Sequence, residues 1–157
     1  MREESSALVV HGGRRWVAVT RYVREIMTQN PVTVSEKTPL TEVARLMRQN
    51  GIGDVIVTEG DHVCGLVTDR DLVVRALADE RDPTLTVVGQ VCSRDMVTCS
   101  SQDPVDEAIR LMREHTLRRL PVVDDDRLVG ALSLGDLAVE RDPHSALADI
   151  SAARPNR

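Results

Sequence analysis

Two seven-residue stretches decide how this chain is read: Gly65-Leu66-Val67-Thr68-Asp69-Arg70-Asp71 and Gly130-Ala131-Leu132-Ser133-Leu134-Gly135-Asp136. Each is a glycine, two apolar residues, a hydroxyl, two variable residues and an aspartate. Working outward, residues 23–72 lie over 88–137 without a gap, and 15 of those 50 positions are identical. Unrelated sequences would agree at about 3 or 4, for a chance match of roughly one in fifteen. The matches fall at structural points: Pro39/Pro104, Glu42/Glu107, Arg45-Leu46-Met47-Arg48 with Arg110-Leu111-Met112-Arg113, Gly65/Gly130 and Asp71/Asp136. The chain is an internal duplication.

Each copy reads as β-α-β-β-α. A short extended piece (Val32–Val34; Val97–Cys99) leads to a helix whose apolar positions, 40, 43, 44, 46, 47 and 105, 108, 109, 111, 112, share one face. Asp103 is the expected N-cap, with Pro104 at the first helical position, and Thr38-Pro39 repeats the device. The first helix should stop at Asn50-Gly51, a left-handed C-cap pair. Two β runs joined by an acidic turn follow (55–58 and 63–67; 120–123 and 128–132), then a second helix over about 70–79 and 135–141. One such unit cannot cover both faces of its sheet, whereas two stacked copies can. The expected division is an N-terminal arm (1–20, with a possible strand at Trp16-Val17-Ala18-Val19), repeat one (21–80), a linker (81–87), repeat two (88–141) and a tail (142–157). A short tail helix should start at Asp142-Pro143.

Composition narrows the function. The 157 residues carry a formal charge of −5, and aromatics are confined to Trp16 and Tyr22. Nucleic-acid binding is not expected, because the chain lacks both a basic surplus and stacking platforms. No apolar run approaches the roughly 20 residues of a membrane helix. The opening MREESSALVVHGGRRW has no basic n-region and no long h-region, so a cytoplasmic protein without a signal peptide is the expectation. Three cysteines (Cys64, Cys92, Cys99) and four histidines form no catalytic motif, so no enzyme is expected. A metal site joining His62, Cys64 and Cys92 or Cys99 weighs less than cysteines that simply pack, so no metal is expected either.

The recurring hydroxyl-x-x-aspartate admits two readings. Thr68 with Asp71, and Ser133 with Asp136, match a capping box at a helix start. The same carboxylate can instead accept from the cis-diol of a ribose, with Gly65 or Gly130 leaving room for a flat base. The helix that follows Thr68 is apolar at 72, 73, 74, 76, 77 and 78, too broad for one buried stripe. It needs a second neighbour, and a homodimer is the expectation.

The whole repeat resembles the CBS-domain pair, named after cystathionine β-synthase. The resemblance rests on Met27 to Val34 (MTQNPVTV), Arg118 to Asp124 (RRLPVVD) and the paired Gly…Asp endings, and covers about residues 20–141. It implies an α+β fold of two β-α-β-β-α repeats about a pseudo-two-fold axis, with two clefts. It also implies a non-enzymatic regulatory module that requires no cofactor, dimerises through its helices and acts on an unknown downstream protein. The implied ligands are adenosine compounds: AMP, ADP, ATP, NAD or S-adenosylmethionine. Position by position, Asp71 and Asp136 would hold ribose hydroxyls, with Thr68 and Ser133 beside them. Val32, Ile52, Gly53 and Ala131 would wall the adenine with Asp136, and Val97, Leu117 and Leu66 with Asp71. Arg118 and Arg119 would reach phosphates; otherwise they answer the acidic turn Asp124–Asp126. Copy one has Gly53-Asp54 at those positions, and Ile56 where copy two has Pro121, so the clefts should be unequal. A ligand-free dimerisation scaffold with degenerate clefts is the alternative.

Overall fold

Apolar residues on one face shape the central helix of each repeat, α2 (Leu40–Asn50) and α4 (Val105–Glu114). The computed structural model describes residues 8–11, 14–17 and 20–153. Both helices start one residue later than expected. The N-caps are Pro39 and Pro104, whose extended backbone ends where the helix begins, and Asp103 instead accepts from the Ser100 N–H at 2.8 Å. Proline has no N–H to contribute to a cap, so its fixed φ alone directs the entry. Gly51 closes α2 in the left-handed region (φ 63°), as expected, with its N–H on the Met47 carbonyl.

Repeat one carries the sheet β4 (Thr33–Ser35), β5 (Asp54–Glu59) and β6 (His62–Thr68), with β4 parallel and β6 antiparallel to β5. Repeat two carries β7 (Arg119–Asp124) and β8 (Arg127–Ser133), while the expected strand at 97–99 shrinks to a parallel bridge from Cys99 to Val122. β1 (Leu8–His11) and β2 (Arg14–Val17) pair antiparallel as a sheet of their own. The arm strand expected at 16–19 is therefore met over Trp16 and Val17, and Ala18 and Val19 lie outside the described residues.

The repeats exchange their leading segments. α1 (Val23–Ile26) and β3 (Thr28–Gln29) open repeat one, yet β3 pairs with β8 and Val23 sits in the second core with Leu120, Val122, Leu132 and Leu137. Symmetrically, Val88, Val91 and Cys92 complete the first core around Val43, Val55, Val57 and Val67, and Ser93 bridges to Leu66. Matching bonds secure both crossings: the Val23 N–H donates to the Asp103 carbonyl and the Val88 N–H to the Thr38 carbonyl, each at 2.9 Å. This exchange explains the two glycines. A Cβ on Gly65 would stand 2.8 Å from the Ser93 carbonyl oxygen, and one on Gly130 2.6 Å from the Met27 sulfur. Their missing side chains admit the other repeat's leading segment: the Ser93 carbonyl and Cys92 side chain at Gly65, and the Met27 side chain and Thr28 carbonyl at Gly130.

The second helices differ. In repeat two, α5 (Leu134–Arg141) is regular, whereas α3 (Asp69–Leu72) runs into a wider π turn over Val73–Leu77. The tail helix α6 (Ala146–Ala152) begins later than expected: Asp142 and Pro143 form the preceding turn, and the Ser145 hydroxyl caps it by accepting from the Ala148 N–H at 3.1 Å. α6 packs along α5 and buries Ala148.

Candidate functional site

Both hydroxyl-x-x-aspartate motifs close a complete capping box. The Thr68 N–H and hydroxyl donate to Asp71 Oδ2 at 2.9 and 2.8 Å, and the Asp71 N–H returns to Thr68 Oγ1 at 3.2 Å. In repeat two, the Ser133 N–H and hydroxyl donate to Asp136 Oδ2 at 2.7 and 2.6 Å, and the Asp136 N–H donates to Ser133 Oγ at 3.2 Å. Capping therefore occupies one oxygen of each carboxylate.

The other oxygen separates the repeats. Arg75, one turn along the π segment, holds Asp71 Oδ1 at 3.3 Å while its Nη1 donates to the Val91 carbonyl at 2.8 Å. Glu140 stands at the equivalent place in repeat two, and its carboxylate accepts a two-pronged bond from Arg21 at 2.8 and 2.9 Å. Asp136 Oδ1 has no protein partner among the described residues. Asp136 lines a cavity of about 280 Å³ whose other walls are Ile26, Ser133, Gly135, Val139, Glu140 and Ser151.

The remaining expected residues are placed otherwise. Val32 and Ile52 pack against the first core, and Val97 and Leu117 against the second. Ala131 is buried in β8 between Thr28 and Pro121, Leu66 is bridged to Ser93, and Gly53 lies against the Asp69 carboxylate. Val32, Ile52, Gly53 and Ala131 are not among the walls of the cavity beside Asp136. Ile26, Gly135, Val139, Glu140 and Ser151 line that cavity, and the motifs did not point to them. Ile26 arrives through the exchanged lead segment and Ser151 from the tail helix.

Residues 23–77 and 88–141 each match the sequence pattern of the CBS domain. The chain belongs to the CBS-domain family. It is similar to the CBS domain-containing protein YhcV of Bacillus subtilis, 39% identical over 133 residues that cover 82% of this chain and 94% of YhcV. Hypoxic response protein 1 of Mycobacterium tuberculosis is 32% identical over 130 residues, covering 82% of this chain and 91% of the relative. A crystal structure of Hypoxic Response Protein I with two coordinated zinc ions superposes with a TM-score of 0.70 at 31% identity, over 76% of this chain and 98% of that one. The CBS domain pair of MJ0100, in complex with 5′-methylthioadenosine and S-adenosyl-L-methionine, has the same fold, with a TM-score of 0.68 at 24% identity over 76% and 94% of the two chains.

Within this CBS pair, Asp54 and Arg119 occupy equivalent positions and bond to each other across the pseudo-axis at 2.7 Å. They stand opposite Thr68 and Ser133 on the neighbouring strands, so the pair links the two capped helix starts. Arg119 thus answers Asp54 and not the acidic turn, where Asp124 instead accepts from the Ser100 hydroxyl and the Ser101 N–H. Burial pushes the Asp54 carboxyl above its ordinary range; Arg119 opposes the shift and the Asp69 carboxylate adds to it. Arg118 is exposed, and its carbonyl accepts the Leu134 N–H that starts α5.

Two of the thiols, Cys92 and Cys99, are buried among apolar residues. Burial pushes Cys99 up to about 12 and raises Cys92 as well. Among the described residues, no group of three or more His, Cys, Asp or Glu is placed to hold a metal ion, and no helix is long and apolar enough to cross a membrane.

Proposed function

We propose that this CBS pair is a regulatory module that senses an adenosine-containing ligand in the cavity beside Asp136, with one competent site per chain. One observation carries the reading: Asp136 lines a cavity and its Oδ1 has no protein partner among the described residues, whereas Arg75 holds the matching oxygen of Asp71. A ribose cis-diol would donate to Asp136 Oδ1, and Ile26 and Val139 would supply apolar contact. The cavity is near the small end of ligand pockets, roughly 300–1,000 Å³, and suits a nucleoside better than a dinucleotide such as NAD. Asp136 brings a carboxylate to its wall, Glu140 is answered by Arg21, and Arg119 is engaged by Asp54, so phosphate finds little support. Neutral or cationic adenosine compounds, S-adenosylmethionine among them, therefore rank ahead of AMP, ADP and ATP. The S-adenosyl-L-methionine and 5′-methylthioadenosine of MJ0100 belong to this class.

Binding would shift one repeat against the other and change what a downstream protein meets. We also infer a cytoplasmic homodimer that requires no cofactor or metal. The occupied Asp71 favours a second reading, a dimerisation scaffold with degenerate clefts.

Calorimetry and thermal melting against adenosine, S-adenosylmethionine, AMP, ADP, ATP and NAD separate the two. A bound compound at 100 times its Kd should stabilise the fold by about 2.7 kcal/mol. Asp136→Ala should abolish that gain while lowering unliganded stability by only about 0.5–2 kcal/mol, the worth of a cap. If no adenine compound shifts melting, the scaffold reading stands and the sensor reading falls.

A further inference from the structure

α6 lies beyond the two matched CBS repeats, yet it contributes Ser151 to the cavity that holds Ser133 and Asp136. The approach is close: a Cβ on Gly135 would stand 3.0 Å from both Cβ and Oγ of Ser151. The equivalent residue in repeat one is the exposed Arg70, so Gly135 creates a docking place that repeat one does not offer. On α6, Ser145, Ala148 and Ser151 follow at three-residue spacing, and Ala148 is buried, so one face of small residues turns toward α5. This puts the Ser151 hydroxyl on a cavity that the Ser133–Asp136 box and Ile26 also line.

We propose that α6 is the closing wall of the Asp136 site, with Ser151 a ligand-contacting residue whose hydroxyl joins Ser133 and Asp136 in reading the sugar edge of a nucleoside. The inference rests on the adenosine reading above. Ligand recognition is then not confined to the CBS repeats, because the tail contributes one side of the site. A ligand held between α5 and α6 ties the tail down, since it binds only where both walls are present. The Gly135 contact sets the width of the cavity and so the size of ligand admitted.

Adenosine is the probe. Titration calorimetry of the full chain should show Ser151→Ala weakening adenosine binding about threefold to tenfold, the range for one neutral hydrogen bond, without lowering the urea midpoint. Gly135→Leu, which pushes α6 away, should weaken binding further. Trypsin reports the tail directly: Arg141 is the exposed last residue of α5, just before the turn into α6, and saturating adenosine should slow cleavage after it in wild type but not in Gly135→Leu. If wild type binds adenosine through Asp136 while Ser151→Ala binds equally well and cleavage after Arg141 is unchanged, α6 is no part of the site. If wild type binds no adenosine compound, the sensor reading and this inference fall together.

Discussion

Residues 75 and 140 hold equivalent places in the two repeats and carry opposite charge, and that one difference sets the fate of the adjacent carboxylate. Arg75 occupies Asp71, whereas Glu140 turns to Arg21 and leaves Asp136 open. Arg75→Gln should therefore uncover Asp71 Oδ1, and adenosine calorimetry should register a second binding event per chain. An unchanged stoichiometry would show that charge at residue 75 does not close the first cleft. The Asp54–Arg119 pair gives a pH-dependent counterpart. Desolvation raises the Asp54 carboxyl above 3.8 in the folded protein, so the folded state keeps a proton that the unfolded chain has lost over the window just above that value. Its contribution is fully present below the window and declines as pH rises through it. Arg119→Met removes the opposing cation and raises Asp54 further. The variant should lose about 1–2 kcal/mol at pH 7, less than the ~3–5 of a fully buried pair because Arg119 is a third exposed. The loss should shrink toward about pH 4; urea midpoints that differ equally at both pH values would contradict it. The aspartates and their hydroxyls were legible because each motif is local. Arg75 and Glu140 belong to no local motif, and only the same offset carried three residues past Leu72 sets them side by side and exposes the reversal.

At the scale of elements, the glycines of β6 and β8 show why a motif can be found and misread. Their spacing from the hydroxyl and aspartate marks each strand end, but nothing local says which backbone approaches them. The visitor is the other repeat's leading segment, 28 residues away in sequence for Gly65 and 102 for Gly130, counted to Ser93 and Thr28. Gly65→Ala should cost about 1–3 kcal/mol in urea denaturation, because the new Cβ would meet the Ser93 carbonyl oxygen at 2.8 Å as well as the Cys92 sulfur at 2.9 Å, and a strand-bridged backbone yields little. A variant as stable as wild type would mean that the 93 segment yields freely, and that the crossing is looser than its Ser93–Leu66 bonds of 2.8 and 3.0 Å suggest. Helix and strand positions were legible because apolar spacing alternates cleanly between helical and strand periods. The π turn at 73–77 was not, since five apolar and basic residues in a helical run give no sign that their bonds skip an extra residue.

At the scale of the molecule, the exchange of leading segments means that neither core is complete without sequence from the other repeat, so the two repeats should unfold together. The duplication announced two similar halves; the exchange stayed hidden because residues 23–29 align with repeat one while packing into repeat two. The same arrangement leaves the outer faces unequal. α6 lies along α5, whereas the π segment of repeat one presents Val73, Val74 and Leu77 at 55, 50 and 71% exposure. An apolar cluster of this kind, rimmed by Arg70 and Asp79, is what a partner surface needs. Leu77→Glu places a charge at its most exposed point, where the fold of a single chain should change by no more than about 0.5 kcal/mol. Wild type should sediment at twice the 17.3 kDa chain mass and the variant at the chain mass itself, with equal urea midpoints for the variant and for wild type diluted below its dimer dissociation constant. Wild type sedimenting as a single chain would mean that the patch is left bare. A variant that remains dimeric would place the interface elsewhere, with the outward Leu147 and Ile150 of α6 the next surface to charge.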